Sequence, residues 1–358
     1  MNTRTQLGVT LVEVMVSMAI GLLLVAGMIG LYISQSQGSR QSLAFSRMQE
    51  NARYAFELIG RDLRMVGDTG CYRKTIVNTY VNELTASGTE IPWYGAVDTL
   101  PLIGYEDAAT TAPTTNSLRS KVLRGDALAV LRADDETPNI ISTYTQSSGV
   151  FTLTATPNLS ADDIVVATDC QTAVVGRVDS VAGQNVTTTA TTANDATASL
   201  AANSHLYALS GHLYYIRNNA AGIPSLYRQD FDNGSTAGVE LVEGVEDMQI
   251  MYGVDTTGID DTDGDGSVDT YVTADQVTAT APGSSDANKW SNRVLSVRVD
   301  LLIRSVENNI ATNAQSFPAA YWPFSTPTVV VSGGNAVAQD RRLRKQFTAT
   351  FTLRGRVH

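Results

Sequence analysis

From Val9 to Ile33 the chain carries a single charged side chain, Glu13, in a run that is otherwise uncharged and mostly apolar. At 1.5 Å rise per residue such a run makes a helix about 37 Å long, enough to cross a hydrocarbon core of roughly 30 Å. A carboxylate near the start of a membrane helix costs on the order of 2.5–3.5 kcal/mol on insertion scales, so it calls for a partner. Met1 to Gly8 precede the run, polar and with Arg4 as their one charge. A cut between Gly8 and Val9 would create an α-amino group about one helical turn from Glu13, able to neutralise it within a subunit or between neighbours. Arg4 orients the N-terminus toward the cytoplasm and the rest of the chain across the membrane. No small-residue cleavage site follows the apolar run, which argues against a secretory signal; an uncleaved anchor is the alternative.

The helical pattern continues past the apolar run. Phe45, Met48, Ala52, Phe56, Ile59, Leu63 and Val66 recur at steps of three and four, drawing one apolar stripe. Arg47, Glu50, Arg53, Glu57, Arg61, Asp62 and Arg64 fall largely off it. Gly67 and Gly70 are placed to end the helix. Gly21, Gly27 and Gly30 each weaken its front half by about 1 kcal/mol relative to Ala.

Beyond Gly70 the pattern changes to strands. Asp126–Asp134, Asp163–Cys170 and Val174–Val181 are short, Val-rich and bounded by turn formers. Leu213–Arg217 and Leu226–Phe231 read as a hairpin around residues 218–222. Leu295, Val297, Val299, Leu301 and Ile303 alternate with polar residues, as do Phe347, Ala349, Phe351 and Leu353, which marks antiparallel strands with one wet face. The dry face needs a cover, and the stripe from Phe45 to Val66 supplies one. The expected fold is therefore α+β, a long N-terminal helix packed on antiparallel sheet. Its divisions are a leader 1–8, a membrane half 9–33, an amphipathic half 34–67 and a β-rich head 68–358. Thr- and Ala-rich stretches near 107–117 and 186–204 read as surface insertions.

Several stretches carry a family resemblance. Gly8-Val9-Thr10-Leu11-Val12-Glu13 resembles the class III leader of type IV pilins and type II secretion pseudopilins. The resemblance implies a prepilin peptidase that cuts after Gly8 and N-methylates Val9, and a role for Glu13 in docking each subunit into a filament. Residues 52–67, followed by Gly70-Cys71, look like the helix exit of PilW-type minor pilins. Residues 241–255 resemble a segment shared with J-type pseudopilins, and Arg341-Arg342-Leu343-Arg344-Lys345-Gln346-Phe347 looks like the PilW-type ending. Together these imply a pilin-like fold and a low-abundance minor pilin of the type IV pilus. Its expected partners are other minor pilins, the major pilin, the prepilin peptidase and the inner membrane before assembly. A J-type pseudopilin and an adhesive tip subunit are the rival readings.

Other residues bear on chemistry. Cys71 and Cys170 are the two cysteines. In an oxidising periplasm they are expected as a disulfide, worth up to roughly 4.7 kcal/mol for a loop of about 100 residues in the chain-entropy view; two buried thiols are the alternative. Asp261, Asp263, Asp265, Ser267 (through its carbonyl) and Asp269, with Gly266 at the sharp turn, match the first part of an EF-hand-type loop and make Ca²⁺ the expected ligand. Val272 stands where that loop places a bidentate Glu, with Asp255 or Asp260 as substitutes, and a solvated acidic turn is the alternative. The net charge of −11 argues against a nucleic-acid surface. His205, His212 and His358 form no ligand spacing, His205 and His212 read as surface or turn residues, and no nucleophile or phosphate-loop motif is present, so no enzymatic activity is expected. Trp93, Tyr94, Trp290, Tyr321 and Trp322 are candidates for a binding surface or for packing. Glu243, Glu246 and Asp247 are candidates to face basic partner subunits or to line a solvated strand edge.

Overall fold

The computed structural model describes residues 10–67, 79–82, 101–111, 118–134, 139–188, 200–201, 203–230, 238–256, 266–279, 293–319, 323–324 and 329–353. One helix, Leu11–Arg64, runs through 54 residues, unbroken at Gly21, Gly27 and Gly30. Its C-terminus turns through Met65 to Gly67, whose φ of +70° suits glycine and whose N–H donates to the Leu131 carbonyl at 2.9 Å. Gly67 therefore ends the helix as expected; Gly70 lies outside the described residues.

The helix is solvent-exposed up to Ser34 apart from half-buried Gly21, and it meets the head along its rear. Met48, Ala52, Ala55, Ile59, Leu63 and Val66 are buried there. Phe45 departs from the expected stripe and points outward at 36% exposure; Gln37, Gln41 and Ala44 continue the inward face instead. Gly60 lies against the Phe351 ring so closely that any Cβ would overlap it. A glycine inside a helix costs about 1 kcal/mol relative to Ala, offset here by the approach of helix to sheet.

Under the helix lies a four-stranded antiparallel sheet in the order Thr270–Val272, Val245–Val254, Val294–Arg304, Arg344–Thr352. Leu295, Val297, Val299, Leu301 and Ile303 are all buried, as their alternation predicts. Their opposite face is less wet than expected, since Ser296, Asp300 and Leu302 are buried too.

A second antiparallel sheet runs Leu102–Tyr105, Arg124–Ala133, His205–Asn218, Pro224–Asp230, Gly238–Glu243. The expected hairpin is its third and fourth strands, closed by Asn219, whose side-chain oxygen accepts from Ala221 N and Ile223 N. Residues of this sheet, including Leu128, Tyr214, Ile216 and Leu226, share one core with the helix and the four-stranded sheet.

The strand His205–Asn218 also enters a third body. Strands Asn139–Thr145, Val150–Leu153, Asn185–Thr188, Thr172–Ala182 and Ile164–Thr168 pair in turn, and the ring closes through His205–Ala208. All six contacts are antiparallel, so this is a small closed barrel with its own core of Ile141, Phe151, Leu153, Val165, Val174, Val178, Val186 and Leu206. Val186 and Ala108, both in stretches expected as surface insertions, are fully buried. The remaining sheet is small: Ser316–Pro318, Asn335–Ala338 and Val329–Ser332.

Candidate functional site

Two regions stand out by their chemistry, the tip of the helix and the buried charges that hold its rear to the head. At the tip, Thr10 is the N-cap and Glu13 the third helical residue, together a capping box. The Glu13 carboxylate accepts from Thr10 N at 2.9 Å and from its hydroxyl at 3.0 Å, while Thr10 Oγ1 accepts from Glu13 N at 3.3 Å. Two backbone donors that a helix start leaves unpaired are thus satisfied. Glu13 needs no new amine to be satisfied: the fold gives it a partner within its own chain, because Thr10 precedes it by three residues. Gly8 and Val9 lie outside the described residues.

At the rear, Asp62 is 3% exposed and gathers donors from two strands. Arg132 Nε meets Oδ1 at 3.0 Å, and His212 Nδ1 and Tyr214 Oη reach Oδ2 at 2.6 and 2.5 Å. Burial by itself would raise this carboxyl, but the bonds from His212 and Tyr214 and the charge of Arg132 hold it below the usual carboxylate range. Burial and the Asp62 charge together push the Tyr214 hydroxyl well up. His212 is therefore neither a surface nor a turn residue: it is 6% exposed inside a strand, its other ring nitrogen 3.5 Å from Asp230. A helix pattern read alone placed Asp62 off the apolar stripe, and only the strands reveal what it faces.

A second cluster joins two of the motifs noted in the sequence. Glu246, 0% exposed, meets Arg344 Nε at 2.7 Å and Arg304 Nη1 at 3.5 Å, and Arg344 also reaches Asp340 at 2.5 Å. Burial disfavours the Arg344 charge, but Asp340 and Glu246 outweigh it and raise the group. Asp247 is likewise buried, its carboxylate accepting from Met248 N at 2.8 Å. Glu246 and Asp247 thus neither line a solvated edge nor face a partner subunit; Glu243 alone of the three is exposed, and its carbonyl accepts from Asn51 of the helix.

Asp126 stitches the two sheets, accepting from Ile250 N at 2.7 Å and Asp107 N at 3.0 Å. Burial, with Glu106 nearby, pushes its carboxyl up to about 8, and burial pushes Asp247 up to about 7.

The acidic loop is described at its edges. Gly266 has φ +68°, as a turn-making glycine at that place requires, and its N–H donates to Asp255 Oδ2 at 3.2 Å. Asp269 Oδ2 accepts from Thr256 N and Oγ1, both at 2.8 Å. Val272 is a buried strand residue paired with Tyr252, so the last place of an EF-hand loop is closed to ligation. Asp261, Asp263 and Asp265 lie outside the described residues, and no group of metal-binding side chains occurs among the described ones. Cys170 has φ +67° and is not a free thiol; Cys71 lies outside the described residues, as do His358, Trp93, Tyr94, Trp290, Tyr321 and Trp322.

A long helix capped by a glutamate, apolar and exposed in front and locked to antiparallel sheet behind, defines a type IV pilin-like protein. The family model of type IV pilus-assembly protein W matches residues 213–355, and that of the prokaryotic N-terminal methylation motif matches residues 3–29. The two matches, one at each end of the chain, support a type IV minor pilin. No curated protein and no solved structure matches it. The apolar helix and the methylation motif fit a single-pass inner-membrane protein.

Proposed function

We propose that this chain primes or caps the tip of a type IV pilus together with other minor pilins, after a prepilin peptidase removes Met1 to Gly8 and methylates Val9. The observation that carries the reading is the placement of Glu13. Its carboxylate lies 2.9 Å from Thr10 N, one residue from the amine that cleavage would create. The same carboxylate can therefore exchange Thr10 for a charged amine, its own or that of the adjoining major or minor pilin, without moving along the helix. In a low-dielectric filament core that exchange is strongly favourable, since an ion pair there gains far more than in water. Mass spectrometry of the mature polypeptide should find Met1 to Gly8 absent, and Glu13→Ala should leave the head folded while surface pili and twitching are lost. Loss of protein secretion with pili intact would instead identify a pseudopilin.

A second reading, an adhesive tip subunit, draws on the closed barrel at residues 139–208. It follows the helix C-terminus in space, since Gly67 N donates to Leu131 O and Leu209 packs with Leu131. The barrel would then stand on the far side of the head from the membrane. Pili that assemble but fail to attach on its deletion would favour that role. Two further proposals concern the head's stability in an oxidising periplasm. Cys170 is paired with Cys71, which is supported by the absence of a free thiol at Cys170 and the presence of two cysteines in the chain. The loop from Asp261 to Asp269 holds Ca²⁺, which is supported by the turn at Gly266 and by Asp255 facing that turn. Calorimetry with millimolar calcium on the full chain checks the second: absence of heat, equal to that of an Asp263→Ala, Asp265→Ala variant, overturns it.

A further inference from the structure

The segment between the third and fourth strands of the four-stranded sheet reaches the helix far in front of the core. Ile310, itself 4% exposed, presents its carbonyl to Gln37 Nε2 at 2.6 Å and to Gln41 Nε2 at 3.0 Å. Gln37 is four residues past Ile33, where the uncharged run ends, so on an upright helix it lies about 6 Å beyond that end. The polar layer of a bilayer is roughly 5–7 Å deep on each side of its hydrocarbon core. The loop at Ile310 is thus held at headgroup depth by two glutamines.

The sheet's direction agrees. Phe351, near the end of the last strand, meets Gly60, whereas Arg304, paired with Arg344 at the opposite end of the same strand pair, donates to the carbonyl of Gly244, next to Glu243, which takes the Asn51 bond. The chain beyond Arg304 therefore leads toward the membrane half of the helix.

Arg341 presents a cation at that level. Arg341 is exposed, and its Nε and Nη2 donate to Asn309 Oδ1 at 3.0 and 2.6 Å. Its backbone carbonyl accepts from Ala311 N at 2.9 Å, and its own N–H donates to Asn308 Oδ1 at 3.2 Å. The guanidinium is oriented by an amide and, among the described residues, has no carboxylate within ion-pair distance. Neighbouring Arg342 and Arg344 each pair with Asp340. Arg40, also exposed, sits one residue from Gln41 on the helix. A guanidinium held in this way is suited to the planar two-point recognition of phosphate.

We propose that Arg341, held by Asn309, binds the phosphate of an anionic phospholipid where the helix leaves the membrane. The site fixes the height and tilt of the head on the bilayer before assembly. This rests on the reading of residues 9–33 as a membrane span. The test is hydrogen exchange on the full-length chain in nanodiscs of phosphatidylcholine alone or with phosphatidylglycerol. Amides of residues 308–311 and 341–343 should exchange roughly fivefold more slowly in the anionic discs, as expected for one cation held near an anionic surface. Arg341→Gln should abolish the difference, and Asn309→Ala should reduce it while leaving the exchange of residues 294–304 unchanged. Equal exchange in both discs, with residues 11–33 protected, overturns the proposal alone. Protection reproduced by inorganic phosphate in phosphatidylcholine discs also overturns it, in favour of a small-anion site. Fast exchange across residues 11–33 in both discs would overturn the membrane-span reading and the proposal with it.

Discussion

Residues 11–33 and residues 48–64 belong to one continuous helix, yet they meet opposite surroundings. In the front half none is buried, and the one carboxylate, Glu13, is satisfied by its own helix cap. In the rear half seven of the inward positions are sealed against the head, and the carboxylate there, Asp62, is satisfied by three side chains distant in sequence. The front is built to change partners and the rear is built not to. A local hydrogen bond such as a cap is worth about 0.5–2 kcal/mol and is readily exchanged. Removing one member of a buried charge cluster costs about 3–5 kcal/mol, because the other charge stays behind in a medium that solvates it poorly.

Breaking the rear should therefore give the largest effect. Asp62→Ala is expected to lower the head's unfolding free energy by about 3–5 kcal/mol, read from a denaturant midpoint, because it strips the buried Arg132 of its main counter-charge. Glu246→Ala belongs to the same range for the same reason, with Arg344 left behind. Gly60→Val comes next. Its side chain must displace the Phe351 ring, and overpacking of that kind costs about 1–3 kcal/mol; a fully stable variant would mean that the helix does not approach the sheet this closely. Thr10→Ala is the smallest of the substitutions. It should leave the unfolding midpoint of the head unchanged while freeing the helix start by about 0.5–2 kcal/mol, detectable as faster amide exchange over the first turn.

The buried acids sharpen the comparison through pH. Asp62 is lowered in the folded state, so its contribution is complete above the ordinary carboxylate range and is lost as pH falls below that range through the depressed folded value. Asp126 and Asp247 are raised, to about 8 and about 7, so the folded head keeps protons that the unfolded chain has already released. Stability should consequently decline as pH rises from about 4 to about 8, leaving a maximum on the acid side of neutrality. Thermal melts between pH 4 and pH 9 check this. Asp126→Asn should flatten the alkaline limb even where it lowers the melting temperature overall, since an amide cannot accept from both Ile250 N and Asp107 N. A stability that rose steadily to pH 9 would contradict the assignment.

Much of the fold was legible because hydrophobic period and helix length are local properties. Residues 11–33 identify themselves by carrying one charge, and the alternation from Leu295 to Ile303 fixes a strand with one dry face whatever lies upon it. The closed barrel was not legible. Asn139–Thr145 and Asn185–Thr188 are polar and Thr-rich, each burying only one or two side chains, so their pattern resembles a surface loop until the ring closes around Phe151 and Val186. The burial of Asp62, Glu246 and Asp247 is hidden in the sequence for a related reason. A charged residue on a sequence reads as solvated, and only the arrival of Arg132, His212 and Arg344 from distant strands makes its burial tolerable.

What the chain determined by itself is the membrane-length helix, its glutamate cap and the alternation of its central strands, each set by neighbours within a turn or a pleat. What only the folded molecule decided is which charges are buried together, where Gln37 and Gln41 catch the Ile310 carbonyl, and that a strand beginning at His205 closes one barrel and continues into another sheet. Those outcomes depend on groups up to 273 residues apart, whose encounter is fixed by packing and by the cost of leaving a buried charge alone.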